Sequence, residues 1–358
     1  MININMPKIC MVLPYFGKLP SYWGGAITSL QDNYILDFLI ISDCDIRSSS
    51  ENIKIVKMSW KKMQEYVKKK FEEIGYKKIC ITHPYKLCDY KPSYGYLFES
   101  YLKDYDFWGY MDCDLVLGNV KKFLTKIDVQ KFDRIGRYGH FSLYRNTPVV
   151  NKLFADENIP SKIHFSDVIK TTFPYHFDEG TINEFFYKKN LKFYDKPLDA
   201  TMGIFSYEFK WKNQTSVDLG ELFVIEPDGA SAVYSKTADN GIERSEVMYI
   251  HFLNKKDIFI SEHIKKPYCI TRKGVFEIRM SDIPTLIDKA ICTIEEQNAY
   301  QRNLERKARK MTRKRIIREM RYNKLEGCKF IYNRVQTWWQ HRLLARKYNR
   351  SVNENSKE

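Results

Sequence analysis

The chain alternates between short apolar runs and longer amphipathic stretches, and the two periods mark out its elements. Ile9 to Phe16 is a continuous apolar run closed by Pro14-Tyr15-Phe16-Gly17, which predicts a buried strand passing into a loop. Asp37 to Ser42 is a second such run, ending at Asp43, and Ile53 to Met58 alternates like a third strand. Between them Ser21 to Asn33 reads as a short helix, and Trp60 to Ile74 as a charged amphipathic one. Lys78 to Thr82 is expected to form another short strand, Ser93 to Leu102 a helix, and Phe107 to Met111 a strand. Strands alternating with helices over residues 1–120 predict an α/β fold with a mostly parallel central sheet. Ligands of such sheets bind beyond the carboxyl ends of the strands. Tyr15, Phe16, Asp43, Asp112 and Asp114 all fall at such ends.

Beyond this half the pattern loosens. Residues 139–145 suit a strand, Pro148 to Phe154 a helix, and 175–180 a polar loop leading into a helix from Thr181 to Lys188. Leu222–Ile225 and Ser231–Tyr234 flank Pro227-Asp228-Gly229 and predict a hairpin. Met248 to Phe252 is a short apolar strand carrying His251, and from Pro284 onward the sequence reads as helix, with Ser281 or Asp282 as its N-cap. The division expected is a globular domain over residues 1–285 and a helical basic tail over 286–358.

Composition sharpens that division. With 358 residues, 44% of them hydrophobic and 15% aromatic, the chain can bury one large core or two smaller ones. No run approaches the roughly 18 apolar residues of a membrane span. Lys8 alone precedes the first apolar run, with no small-residue cleavage site, so a strand is expected there rather than a signal peptide. The 8 cysteines form no C-x-x-C pair and have no histidines at zinc spacing, the pattern of reduced packing residues in a cytoplasmic protein. The net charge of +15 is unevenly placed: residues 300–350 hold 17 Lys and Arg against 3 Glu, which leaves residues 1–299 nearly neutral. Phe330, Val335, Trp338, Trp339, Leu343 and Leu344 recur within that basic field at spacings near three to four. A basic amphipathic helix with tryptophans suits the headgroup region of an anionic bilayer. The expected location is therefore the inner face of the cell membrane, held peripherally. Packing on a protein partner is the competing reading. Nucleic acid is not expected as a specific partner, because phosphate binding alone does not explain the tryptophans.

The sharpest chemistry lies in Trp108-Gly109-Tyr110-Met111-Asp112-Cys113-Asp114-Leu115-Val116-Leu117-Gly118. If this is one strand, alternate side chains share a face and Asp112 and Asp114 point the same way. Two carboxylates side by side among apolar residues are costly unless a cation neutralises them. Hard oxygen ligands suit Mg²⁺ or Mn²⁺, which keep open positions for diphosphate oxygens. The alternative is a strand-end loop with two solvated aspartates.

Upstream, Asp89 and Lys91 precede the Tyr94–Leu102 segment, the aromatic run Phe107-Trp108-Gly109-Tyr110, and then the D-x-D pair. This arrangement resembles bacterial surface-polysaccharide glycosyltransferases of the GT-A type, and the family 32 pattern in particular. It departs from that pattern in having lysine at 91 and Trp108-Gly109 in place of paired glycines. The resemblance implies a GT-A-like nucleotide-diphospho-sugar transferase fold. It also implies transfer from a UDP-linked donor to a glycan or lipid-linked acceptor, with retention of configuration favoured. Tyr15, Phe16, Asp43, Lys86, Asp89, Lys91 and Lys255 are then the donor-side candidates, with Lys91 held by Asp89 or meeting the diphosphate. Asp89 and Lys91 read otherwise as a salt bridge between neighbours. His251 is the candidate third metal ligand and His140 an acceptor-side residue, although lone histidines at strand ends more commonly serve packing. Asp178 and Glu179 are the catalytic candidates, as base toward the acceptor hydroxyl or as support for an oxocarbenium ion. Their competing role is capping the helix that follows. A different class, a basic binding protein with a degenerate transferase-like domain, remains the alternative. A metal-dependent hydrolase or phosphotransferase is a further rival, and the absence of a G-x-x-x-x-G-K-[ST] loop argues against a nucleoside triphosphatase of that type.

Overall fold

The computed structural model describes residues 6–201, 221–237, 239–252, 259–271 and 274–290, with scattered helical positions between 302 and 317. The apolar runs become the strands β1 (Ile9–Tyr15), β2 (Leu36–Ser42), β3 (Ile53–Lys57) and β4 (Phe107–Met111). β5 (Leu115–Leu117), β6 (Arg134–Ile135), β7 (Phe141–Arg145), β8 (Phe193–Tyr194) and β9 (Asp199–Thr201) follow. The main sheet has the order β3-β2-β1-β4-β7-β6-β8. It is parallel across β3-β2-β1-β4 and again between β6 and β8, and antiparallel on both sides of β7. The fold is thus mixed α/β with a mostly parallel central sheet, as the alternating pattern predicts.

Continuous apolar runs are what a sheet covered on both faces requires. Along β1, Ile9, Met11 and Leu13 pack with Ile27 and Leu30 of the helix Trp23–Asp32 and with Val120 and Leu124 of the helix Val120–Ile127. The intervening Cys10 and Val12 face Met63, Val67 and Phe71 of the helix Trp60–Glu72. Ser59 caps that last helix by accepting the Lys62 amide, satisfying one of its orphan donors.

Two further sheets complete the body. β10 (Glu221–Ile225), β11 (Ser231–Lys236) and β12 (Ile242–Val247) precede β13 (Tyr249–His251), β14 (Tyr268–Thr271) and β15 (Gly274–Glu277). The predicted hairpin is β10-β11, paired antiparallel with Leu222 opposite Tyr234. It sits inside a five-stranded sheet, β12-β11-β10-β14-β15, whose extent the local pattern did not announce. Ile283 and Ile287 of the helix Ile283–Ala290 pack against Leu222, Val224 and Cys269 of that sheet. β13 joins neither sheet and lies between β5 and β9 in a small three-stranded one.

Two expectations change. Residues 78–82 form no strand, because the Cys80 amide is taken by the Ile169 carbonyl at 2.6 Å and not by a sheet edge. The expected helix over 93–102 is broken into a 3-10 run, Pro84–Ser93, and two single turns, Tyr94–Leu97 and Glu99–Leu102. Pro92 lacks an amide, and the buried rings of Tyr94 and Phe98, 5.3 Å apart, take precedence over helical regularity. No helix among the described residues is long and apolar enough to cross a membrane. Nearly all of the proposed tail, including Trp338 and Trp339, lies outside the described residues, as does Lys255.

Candidate functional site

The four parallel strands deliver Tyr15, Ser42 and Asp43, Met58 and Asp112 to one end of the sheet. There β4 stops at Met111 and β5 begins at Leu115, so Asp112 and Asp114 stand in a turn and not within a strand. Strand alternation therefore does not bring them together. The turn does, pinned on both sides by backbone bonds: the Asp112 amide donates to the His140 carbonyl at 2.9 Å, and the Phe252 amide donates to the Asp114 carbonyl at 2.9 Å. The β5-β13 register sets His251 opposite Leu115. These constraints draw Asp112, Asp114 and His251 into one cluster whose ligand atoms lie within 4.8 Å of one another.

The electrostatics of this cluster are unbalanced. Asp114 Oδ1 is buried without a hydrogen-bond partner, its nearest cationic neighbour being His251 Nε2 at 3.5 Å. Burial alone would depress the His251 imidazolium, but Asp114, Asp112 and Asp199 outweigh it and hold the pKa above its usual value. His140 lies against His251 with ring centroids 4.3 Å apart, accepts or donates at Nδ1 with the Tyr249 hydroxyl at 3.0 Å, and stands 3.9 Å from Asp199. Burial and the charge of His251 push its pKa down to about 3, so this imidazole is neutral. His140, expected on the acceptor side, thus packs against His251, and Asp199, which sequence reasoning missed, stands behind it. The parallel β9-β13 pairing, Asp199 opposite Tyr249, is what places it there.

Lys91 forms the opposite wall. Its Nζ donates to Asp112 Oδ1 at 2.5 Å and to the Gly139 carbonyl at 2.7 Å, and stands 3.4 Å from Asp178 Oδ2. The expected Asp89–Lys91 pair does not form. Asp89 bonds instead with Lys86 at 2.8 Å and accepts the Tyr175 and Phe177 amides, while Lys86 also donates to the Val168 and Phe173 carbonyls. Lys86 and Asp89 are both 0% exposed, so neither faces a site where a donor would dock. Phe16 is likewise directed inward, packed 5.2 Å from Trp60, and does not present a face for a base to stack on.

Tyr15 and Asp43 do remain at the rim. The Tyr15 hydroxyl donates to the Lys18 carbonyl at 2.7 Å, and its ring stacks with Trp23 at 6.4 Å. Burial, together with Cys113, Cys44, Asp114 and Asp43, raises the Tyr15 phenol well above its usual range. Asp43 is exposed and accepts the Gly17 amide at 2.9 Å, fixing the loop after β1, where Gly17 has φ +108°.

Asp178 closes the cluster from the loop before the helix Gly180–Lys188. Its backbone carbonyl accepts from the Tyr110 hydroxyl at 3.2 Å and from buried Arg134 at 3.3 Å. Its Oδ1 is buried and without a hydrogen-bond partner, and burial pushes the carboxyl up to about 7 although Lys91 opposes that shift. Gly139 permits this approach, since a Cβ there would lie 2.3 Å from Asp178 Oδ2. Glu179 occupies the N-cap position of the helix but makes no side-chain capping bond, so capping is not its function. With His176 it completes a second group of ligand-type atoms around Asp178, again within 4.8 Å of one another.

The molecule is a mixed α/β protein with a carboxylate and histidine cluster at the carboxyl ends of its parallel strands. The chain belongs to the Family of unknown function (DUF6625), whose profile matches residues 11–279. No curated protein matches it. Solved structures similar to it include the galactosyltransferase LgtC in complex with donor and acceptor sugar analogues, at 10% identity and a TM-score of 0.34. That alignment covers 68% of this chain and 86% of the other. An active-site mutant of LgtC aligns at 9% identity and a TM-score of 0.36, over 80% of this chain and 97% of the other. Similarities of this size assign neither activity nor substrate to this chain.

Proposed function

We propose that this protein is a metal-dependent glycosyltransferase of the GT-A type, moving a sugar from a nucleotide-diphosphate donor, with UDP the favoured carrier, to a surface-glycan acceptor that is polymeric or lipid-linked. The observation that carries the reading is the convergence of Asp112, Asp114 and His251, with Asp114 Oδ1 buried and lacking a hydrogen bond. Two carboxylates and one imidazole are a donor set that fits Mn²⁺ or Mg²⁺. A cation held there supplies the positive charge that a departing nucleoside diphosphate requires.

The chain's own groups divide the remaining work. Tyr15 and Asp43, at the ends of β1 and β2, line the nucleotide side. Asp178, a buried acid whose pKa lies near neutrality, is the group suited to take a proton from an acceptor hydroxyl, with Glu179 beside it. His140 and Asp199 orient His251 from behind, as second partners of ligating histidines do. Lys86 and Asp89 act on the site only through the loop they brace. Attachment to an anionic membrane surface rests on the charge of residues 300–350.

The test is a screen of nucleotide sugars with Mn²⁺ on the full chain, reading release of nucleoside diphosphate. Release from one donor, abolished by EDTA and restored by excess Mn²⁺, is expected. Release that ignores EDTA overturns the metal dependence. No release from any donor, with anionic liposomes still bound, returns the chain to the class of non-catalytic binding proteins.

A further inference from the structure

Lys91 occupies a position that donor binding does not explain. Its side chain is only 7% exposed, and its ammonium is shared between Asp112, which belongs to the cation cluster, and Asp178 on the facing wall. The contact with Asp112 is the short one, at 2.5 Å against 3.4 Å to Asp178. The same ammonium also donates to the Gly139 carbonyl and lies over the face of Tyr110, 5.4 Å from its ring centroid. An ammonium and a divalent cation on the same carboxylate repel strongly at the dielectric of a partly buried site. A second seat for the ammonium already exists: Asp178 Oδ1 is buried, lacks a hydrogen bond, and belongs to the carboxylate that Lys91 touches with its weaker contact.

Resting on the metal-dependent reading, we infer that Lys91 is the internal counter-ion of the cation cluster whenever no metal is bound, competing with the metal for Asp112 and passing to Asp178 when the metal binds. Lys91 is on this account a positioning residue. It joins occupancy of the metal cluster to the state of the carboxylate on the acceptor wall, so that the ammonium shared with Asp178 at 3.4 Å passes fully to it only when the cation is in place. Lys86 has no such freedom, since its ammonium already meets Asp89 and two carbonyls, and both Asp89 oxygens are taken by backbone amides as well.

Mn²⁺ titrations by calorimetry on the full chain, with melting temperatures in parallel, test this. Lys91→Gln keeps a donor for the Gly139 carbonyl and removes the charge; Lys91→Met removes both. Each is expected to bind Mn²⁺ at least about tenfold more tightly than the unaltered chain. Mn²⁺ should also raise their melting temperatures by more than it raises that of the unaltered chain. Asp178→Asn, which removes the second seat, should weaken Mn²⁺ binding several-fold in the unaltered background and leave it unchanged beside Lys91→Gln. Should Lys91→Met fail to fold, the Lys91→Gln and Asp178→Asn pair decides the matter. Equal or weaker Mn²⁺ binding by Lys91→Gln, or the same effect of Asp178→Asn in both backgrounds, overturns the inference and leaves the cation cluster standing. Absence of Mn²⁺ binding in the unaltered chain and in Lys91→Gln alike overturns the cluster itself.

Discussion

Lys86 and Lys91 lie on one 3-10 run, are both buried, and are both paired with aspartate, yet their surroundings are built to opposite ends. Around Lys86 every charge is answered: Asp89 receives an ammonium and two amides, and the ammonium receives two carbonyls besides. Around Lys91 the charges outnumber their partners. One ammonium serves Asp112 and Asp178, while Asp114 Oδ1 and Asp178 Oδ1 are left without hydrogen bonds. A satisfied buried pair braces a loop. An unsatisfied cluster at the strand ends stores a demand for charge that a ligand can meet, and that is the physical signature of a site.

The contrast predicts opposite responses to mutation. The largest effect is expected at the satisfied pair: Lys86→Met strands the Asp89 carboxylate in the interior and should cost about 3–5 kcal/mol of stability. Denaturant unfolding measures this, and the fraction that remains folded should bind Mn²⁺ as before. A small loss would show that the two lysines are not different in kind.

Asp114→Asn should behave the other way. Removing this charge gives up only the 3.5 Å contact with His251 and should change stability little, while donor turnover with Mn²⁺ falls about a hundredfold or more. Nucleoside diphosphate release and a melting curve on the same sample read both halves of that statement.

Asp178 gives a pH signature in the absence of metal. Its carboxyl is raised from 3.8 to about 7 in the folded protein, chiefly by burial. The folded state therefore holds a proton that the unfolded chain has released. The resulting stability is complete below about pH 3.8 and is lost as pH rises through about 7. Asp178→Asn should flatten that decline, read as unfolding midpoints in EDTA from about pH 4 to about pH 8. An unaltered slope would move the proton to another group.

The mildest change expected is Gly139→Ala. Its Cβ would press on Asp178 Oδ2 from 2.3 Å. The displacement should cost about 1–3 kcal/mol of stability, reduce turnover, and weaken Mn²⁺ binding by less than Asp178→Asn does, since the second seat for Lys91 is shifted and not removed. Unchanged Mn²⁺ binding here would show that the two walls act independently.

Much of the frame was legible in the chain itself. The apolar runs of β1, β2 and β4, the amphipathic helix Trp60–Glu72, the hairpin β10-β11 and the D-x-D pair all carry their signal within a few residues, because periodicity and turn chemistry are local properties. The tertiary structure alone decided the partners. Asp89 chose Lys86 and the amides of Tyr175 and Phe177 over its neighbour Lys91, and Phe16 turned to Trp60 and away from the cleft. His251 and Asp199 entered the site through pairings of β13 with β5 and β9, strands far apart in sequence. No period in the sequence encodes such choices. A buried charge takes whichever partner the packed chain brings within bonding distance, and that distance exists only after the sheets have closed.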